Sequence, residues 1–301
     1  MTNDACNGCS KSGNCSDSDK QSCDQQQAED RLANNLAAIK HKILVMSGKG
    51  GVGKSSTAAN LAVTLAAQGA KVGLLDIDLH GPSIPTLLGL EGKSPDVSEE
   101  GMIPIERGNL KVMSIGFLLK SADDALIWRG PAKAGVIQQF MKDVQWGELD
   151  YLVVDCPPGT GDEPLTIVQM LSESGGAGAV LVTTPQKVAL VDVRKSATFC
   201  KKMDLPVFGV IENMSGFVCP HCNEVTDIFK KGGGQQMAAD MTIPFLGHVP
   251  MDPRMVEAGD SGKPVVEAYP DSPTTTILQQ ISQELQLRCI NPGGGTADLN
   301  D

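Results

Sequence analysis

Aromatic residues are scarce in this chain. Seven Phe, two Trp and two Tyr are spread over 301 residues, so its core must be built from Val, Ile, Leu, Ala and Met. Positive charge is also in short supply, with 25 Lys and Arg against 36 Asp and Glu and a formal net charge of −11. That balance argues against a nucleic-acid or anionic-membrane surface, either of which needs clustered cations, and neither partner is expected. No run approaches the roughly 18 apolar residues of a membrane span. The first residues, Met-Thr-Asn-Asp-Ala-Cys, have neither the basic nor the apolar part of a signal peptide, so a cytoplasmic protein is expected. Gly (33) and Pro (18) stay below the level of a low-complexity chain, and no internal repeat is visible.

What is present falls into three parts. Residues 1–25 are polar and rich in Cys, Ser, Asp and Gln, too poor in aliphatic side chains to form a core without a metal to order them. Residues 26–290 carry the folded domain, and 291–301 form a Gly-rich, loose tail. Leu32, Leu36 and Ile39 make one stripe of a short helix. From residue 43 onward, short aliphatic runs alternate with helix patterns. The runs are 43–46, 72–76, 112–115, 151–155, 179–183, 207–211 and 244–248. Their unbroken apolar character predicts strands buried on both faces, hence a doubly wound, mostly parallel α/β sheet flanked by helices. A last helix is expected to start at Ser272-Pro273, with Ser as cap and Ile277, Leu278, Ile281 and Leu285 as its stripe.

Between the first run and its helix lies Gly48-Lys49-Gly50-Gly51-Val52-Gly53-Lys54-Ser55, which fits the P-loop pattern in the required strand–loop–helix context. The glycines let successive N–H groups face phosphate oxygens, and the helix N-terminus adds its dipole. Lys54 is expected to reach the β- and γ-phosphates, and the Ser55 hydroxyl to ligate Mg²⁺. Asp76 and Asp78 end the second run and Asp155 ends another. A carboxylate at the end of a buried strand is costly unless a cation or donors satisfy it, so these three suggest Mg²⁺ and its waters, although a strand-end Asp also serves as an ordinary helix cap.

Nine cysteines need a reading. Cys156, Cys200 and Cys289 stand alone and read as small buried hydrophobes. Cys6, Cys9, Cys15 and Cys23 crowd the N-terminus, and Cys219-Pro-His-Cys222 offers two thiolates at metal-ligand spacing. In a reducing compartment such pairs favour metal over disulfide. Tetrahedral Zn²⁺ or a cubane cluster wants four ligands, which a two-fold dimer would supply as two plus two. An intramolecular redox pair and a zinc clasp remain open at this point.

The stretch Ser47–Ser56, with Lys49 directly after the first glycine, resembles the deviant Walker A motif of the MinD, ParA and nitrogenase iron-protein class. The resemblance implies that Lys49 crosses a homodimer interface to the partner's nucleotide and that ATP is sandwiched there. It further implies that Asp78 positions the attacking water, that Asp76 and Asp155 hold the Mg²⁺ shell, and that residues 159–162 sense the γ-phosphate. Asn213 and the Pro250–Asp252 loop would flank adenine. Over residues 28–288 the segments 48–55, 76–83, 128–131 with Gln139-Phe140, 155–162 and 212–222 together resemble the Mrp (ApbC) family of iron–sulfur cluster carrier ATPases. This implies a labile [4Fe–4S] cluster bridged between protomers by Cys219 and Cys222, slow ATP hydrolysis, and delivery to apo iron–sulfur acceptor proteins. Cys6-x2-Cys9-x5-Cys15 matches only part of the N-terminal cluster motif of eukaryotic-type relatives; Cys23 substitutes for the missing ligand, or the tail binds Zn²⁺ or nothing. Rival readings are a spatial regulator like MinD or ParA, and an electron donor like nitrogenase iron protein. An acidic, Gly-rich C-terminus and few cations count against the former.

Overall fold

A computed structural model describes residues 29–79, 81–98, 101–118, 130–172, 174–219, 222 and 224–291. The N-terminal cysteines Cys6, Cys9, Cys15 and Cys23, Trp128 and the tail beyond 291 lie outside the described residues. A helix over 29–37 (α1) leads into β1 (Ile39–Ser47), the P-loop and α2 (Lys54–Ala67). Next come β2 (Val72–Asp76), the short α3 (Ile84–Leu87), and the small strands β3 (Asp96–Ser98), β4 (Gly101–Ile103) and β5 (Ile105–Arg107). They precede β6 (Leu110–Ser114), a 3₁₀ turn at Ile115–Leu118, α4 (Gly130–Asp143), β7 (Leu149–Asp155), α5 (Asp162–Ser172), β8 (Ala177–Thr183) and α6 (Lys187–Lys202). After β9 (Val207–Glu212) a hairpin, β10 (Phe217–Val218) and β11 (Val225–Thr226), interrupts the alternation. The chain closes with α7 (Gly233–Asp240), β12 (Phe245–His248), α8 (Pro253–Asp260), α9 (Val265–Ala268) and α10 (Pro273–Ile290).

Eight strands form one sheet in the order β12-β9-β8-β1-β7-β2-β6-β5. Every neighbouring pair is parallel except β5 with β6. Both α2 and α6 contact β1 and β8, so the sheet is covered on its two faces and its central strands are buried throughout. This is the doubly wound sheet expected from the unbroken apolar runs. The chain steps from β1 to β2 on one side and returns through β7 to β8 on the other, which puts the end of β1 at the topological switch point.

Local expectations fared unevenly. Val72–Asp76 is a strand over its whole predicted length. Ser272 caps α10 as expected, accepting a hydrogen bond from Thr275 N at 3.1 Å, and Leu278, Ile281 and Leu285 are buried. The stripe Leu32, Leu36, Ile39 is divided, however: α1 ends at 37 and Ile39 opens β1, paired with Leu149. Parallel pairing with β7 lengthens β1 backward through Lys40 and Lys42, where the local pattern is polar. Tertiary pairing overrides local periodicity there.

The P-loop rests on α6. A Cβ on Gly48 would lie 2.3 Å from the carbonyl carbon of Asp192, whereas one on Gly50 meets nothing within 4 Å. Gly48→Ala must therefore displace backbone, and it should cost about 1–3 kcal/mol in urea denaturation while Gly50→Ala stays near the parent. Equal midpoints for the two variants would show that the loop does not depend on α6.

Candidate functional site

Three adjacent strands deliver the charged residues. In the register of the sheet Asp155 is opposite Val45 of β1 and Asp76 of β2, and Asp76 is opposite Ser114 of β6. The carboxylates are therefore side by side at the carboxyl ends of buried strands, beneath the P-loop. Gly51 (φ +78°) and Gly53 (φ +82°) take left-handed conformations that turn the loop into α2. Gly53 is needed twice over, because a Cβ there would lie 2.1 Å from the Asn213 amide nitrogen.

Lys54 is 6% exposed and its Nζ donates to Asp155 Oδ1 at 2.6 Å, with Asp78 Oδ2 at 3.6 Å and Ser55 Oγ at 3.3 Å. Burial alone would discharge this ammonium, but the charge and hydrogen bond of Asp155, helped by Asp78, hold its pKa above the ordinary lysine value. Burial pushes Asp155 upward in spite of Lys54. Its second oxygen, Oδ2, is buried and makes no hydrogen bond to a described residue. The Ser55 hydroxyl is near enough to favour the ionised form. A buried carboxylate oxygen without a donor, beside the P-loop serine, is what a divalent cation and its water shell would satisfy, so the residues fit Mg²⁺.

Asp76 is differently employed. Its Oδ2 accepts from Ser114 Oγ at 2.9 Å and Ile84 N at 3.3 Å, and its Oδ1 accepts from Asp78 N at 3.2 Å. It braces the first turn of α3 and the strand end, which realises the cap-like alternative. Burial and the neighbouring Asp155 charge push its pKa well above the carboxylate range. Lys49 is half-buried, and its carbonyl accepts from Ser47 Oγ at 3.0 Å.

Beside the loop opens a cavity of about 610 Å³. Five residues singled out from sequence line it: Gly53, Ser56, Asn213, Pro250 and Asp252. Asn213 is buried and its amide donates to Val52 O at 2.9 Å, which ties this wall to the phosphate loop. The Asp252 carboxylate caps α8, accepting from Arg254 N at 3.0 Å, Arg254 Nε at 2.8 Å and Thr274 Oγ1 at 2.6 Å. Although burial opposes it, these bonds hold its pKa below the ordinary value. Asp252 thus shapes the wall with a carboxylate already engaged. Sequence reasoning missed Leu87, Phe217, Met255 and Val256, which come from three separate segments and share no local pattern.

Cys219 and Cys222 lie beyond the paired strands of the β10–β11 hairpin. Cys219 is half-buried, and its N donates to Glu224 O at 3.0 Å; Cys222 is exposed. Among the described residues no group of three or more His, Cys, Asp or Glu could hold a metal ion. The hairpin root meets the cavity: Phe217 lines it and bridges to Met251, whose N donates to Gly216 O at 2.8 Å. Cys156, Cys200 and Cys289 are buried in the core as expected, and burial pushes the thiols of Cys200 and Cys289 up to about 12.

Residues 38–286 match the family model described as NUBPL iron-transfer P-loop NTPase. The chain belongs to that family. Among curated relatives, a protein of Culex quinquefasciatus named cytosolic Fe-S cluster assembly factor NUBP2 homolog is 54% identical over 253 residues, spanning 83% of this chain and 98% of the relative. The Bos taurus cytosolic Fe-S cluster assembly factor NUBP2 is 48% identical over 83% of this chain and 94% of its own length. Among solved structures, a nucleotide-binding protein of Archaeoglobus fulgidus in complex with ADP, with cobalt present, is 43% identical with a TM-score of 0.68, covering 78% of this chain and 91% of that one. The cell division ATPase MinD of Pyrococcus furiosus aligns at 25% identity and a TM-score of 0.60, over 82% and 99% of the two chains. The expected P-loop family and MinD-like sheet are thereby established, and no helix among the described residues is long and apolar enough to cross a membrane.

The buried pair gives this family member a direct test. Lys54→Ala leaves the Asp155 charge uncompensated and should destabilise the apo-protein at neutral pH by about 3–5 kcal/mol. Adding Asp155→Asn should recover most of that loss. A double-mutant cycle in urea with no coupling would show that the pair is not formed in solution.

Proposed function

We propose that this protein is an ATP-hydrolysing carrier that assembles a [4Fe–4S] cluster between two copies of the chain and passes it to apo iron–sulfur acceptor proteins in the cytosol. The observation that carries the reading is the shared wall. Phe217 lines the cavity beside the P-loop and stands two residues before Cys219. The relatives named as cytosolic iron–sulfur assembly factors, and the ADP held by the Archaeoglobus protein, point the same way.

ATP would lie with its phosphates along residues 48–55 and its base between Asn213 and Pro250. Lys54 would exchange Asp155 for the β- and γ-phosphates. The exchange would leave the Asp155 charge to Mg²⁺, which would replace the lysine as its cation. Ser55 and Asp155 would hold Mg²⁺, with Asp76 bracing the strand end beside them; the ion would neutralise charge on the phosphates. Asp78 would orient the attacking water, and Lys49 of each copy would reach the nucleotide of the other. The cluster is cargo: four thiolates, Cys219 and Cys222 from each of two copies, would hold it, and ligand exchange with acceptor cysteines would release it. The N-terminal Cys6, Cys9, Cys15 and Cys23 would load a second cluster.

Anaerobic reconstitution should give about four iron and four sulfide per dimer at the bridging site, with more where the N-terminal cysteines are loaded. Replacing both Cys219 and Cys222 by Ala should abolish transfer to an apo-acceptor and leave ATP binding intact. Transfer by that double variant would refute the carrier reading at this site. For the hydrolytic half, Lys49→Ala should keep much of the ATP affinity and lose turnover. Turnover equal to the parent's would rule out a role for Lys49 across the dimer.

A further inference from the structure

Glu212 closes β9 as a fully buried carboxylate, and neither the phosphate chemistry nor the cysteine pair uses it. Its oxygens are nevertheless crowded. Oε1 accepts from Ser215 Oγ at 2.5 Å and from Gly232 N at 2.9 Å, and it faces His248 Nδ1 at 3.1 Å. Oε2 accepts from Gly234 N. The serine and glycine donors come from the two ends of one excursion, while His248 stands at the end of β12. Ser215 is where the chain leaves β9 for the hairpin that carries Cys219 and Cys222, and Gly232–Gly234 is where it returns to start α7.

Both ends are built to meet this carboxylate. On the return side, Gly232 takes φ +85° as the cap of α7, so Glu212 supplies the anion that the helix N-terminus favours. A Cβ on Gly234 would lie 3.1 Å from Glu212 Cβ, Glu212 Oε2 and Thr183 Cγ2, and one on Gly233 would lie 2.6 Å from Pro185 O. Only glycines let the backbone approach so closely. On the outgoing side, Asn213 N donates to Thr183 O at 2.8 Å and Ser215 N to Val249 O at 3.0 Å, which sews 213–215 between β8 and the end of β12. His248 continues the network to Gln235 Oε1 at 3.2 Å. Burial would raise the Glu212 pKa, but the bonds from His248, Ser215 and the two glycine N–H groups bring it down to about 2, so the clasp is anionic at any working pH.

One residue further on is Asn213, which lines the cavity and bonds to the P-loop at Val52 O. We infer that Glu212 is a positioning residue, which clasps both ends of the cysteine-bearing excursion next to the nucleotide cavity and so transmits nucleotide occupancy to the geometry of Cys219 and Cys222. The inference rests on the reading above, in which ATP fills the cavity and these thiols hold the cargo. A shift of Asn213 on binding the base moves the residue on which the excursion pivots, and the carboxylate makes the outgoing and returning strands move together.

The test uses the full-length, reduced, cluster-free protein. N-ethylmaleimide is pulsed anaerobically with and without Mg–ATP, and modification of Cys219 and Cys222 is read on their peptides by mass spectrometry, apart from the other seven cysteines. In the parent, Mg–ATP should change the rate at these thiols by about fivefold or more. In Glu212→Gln that response should collapse to near unity while ATP affinity stays close to the parent's; a merely structural role would lower stability without erasing the response selectively. Ser215→Ala keeps the carboxylate and cuts one outgoing link, and it should give an intermediate response, which decides the matter if Glu212→Gln does not fold. A parent without response, or a variant that binds ATP normally and keeps the full response, overturns the inference. A parent that responds to ATP yet delivers no cluster would instead refute the carrier reading and leave the clasp standing.

Discussion

The ion pair between Lys54 and Asp155 is the constraint around which the molecule is arranged. A lysine and a carboxylate, both almost wholly withdrawn from water, are tolerable only where each finds the other at hydrogen-bond distance. The parallel sheet brings this about by ending β1 and β7 in register, so that the loop after one strand overlies the carboxylate ending the other. Removing water from the pair also strengthens it, which keeps the first turn of α2 in place over the strand ends. The same withdrawal leaves Asp155 with an oxygen that no donor among the described residues satisfies, and that shortfall is the chemical opening for a cation.

The parts of this arrangement visible in the sequence were those encoded locally. A run of four mostly apolar residues ending in Asp, or a glycine-rich turn followed by Lys-Ser, carries its conformation within a window of about ten residues. Strand β1 was harder, since Ile39 and Lys42 join the sheet through β7 and β8 and not through their own periodicity. The cavity wall was harder still, because Leu87, Phe217 and Met255 come from separate helices and a hairpin and meet only through the tertiary fold. Asp252, read as part of a loop flanking the base, lines the cavity and in addition caps α8, a role its local pattern did not announce. Glu212 was legible by the criterion already applied to Asp76 and Asp155, an acid at the end of an apolar strand. Its partners Gly232 and Gly234 lie twenty residues away and could not be read as such.

Buried carboxylates at strand ends are thus put to three uses. Asp155 pairs with a buried lysine, Asp76 braces backbone, and Glu212 gathers two ends of one excursion. What separates them is the donor set each strand end meets: a charged side chain for the first, a hydroxyl and amides for the second, and glycine amides with a serine hydroxyl and a histidine for the third. The cavity beside the P-loop and the cysteine hairpin are consequently both attached at the tip of β9, through Asn213 and Phe217.

The two margins of the sheet carry a consequence for how copies of this chain can meet. On one side β5 is three residues long, antiparallel and bears Glu106 and Arg107; on the other, β12 has four residues and an irregular register at Gly247. Short, charged or kinked margins are poor templates for backbone pairing with another molecule. Lateral growth of the sheet is discouraged at both borders, so a second copy would find no ready strand to extend there.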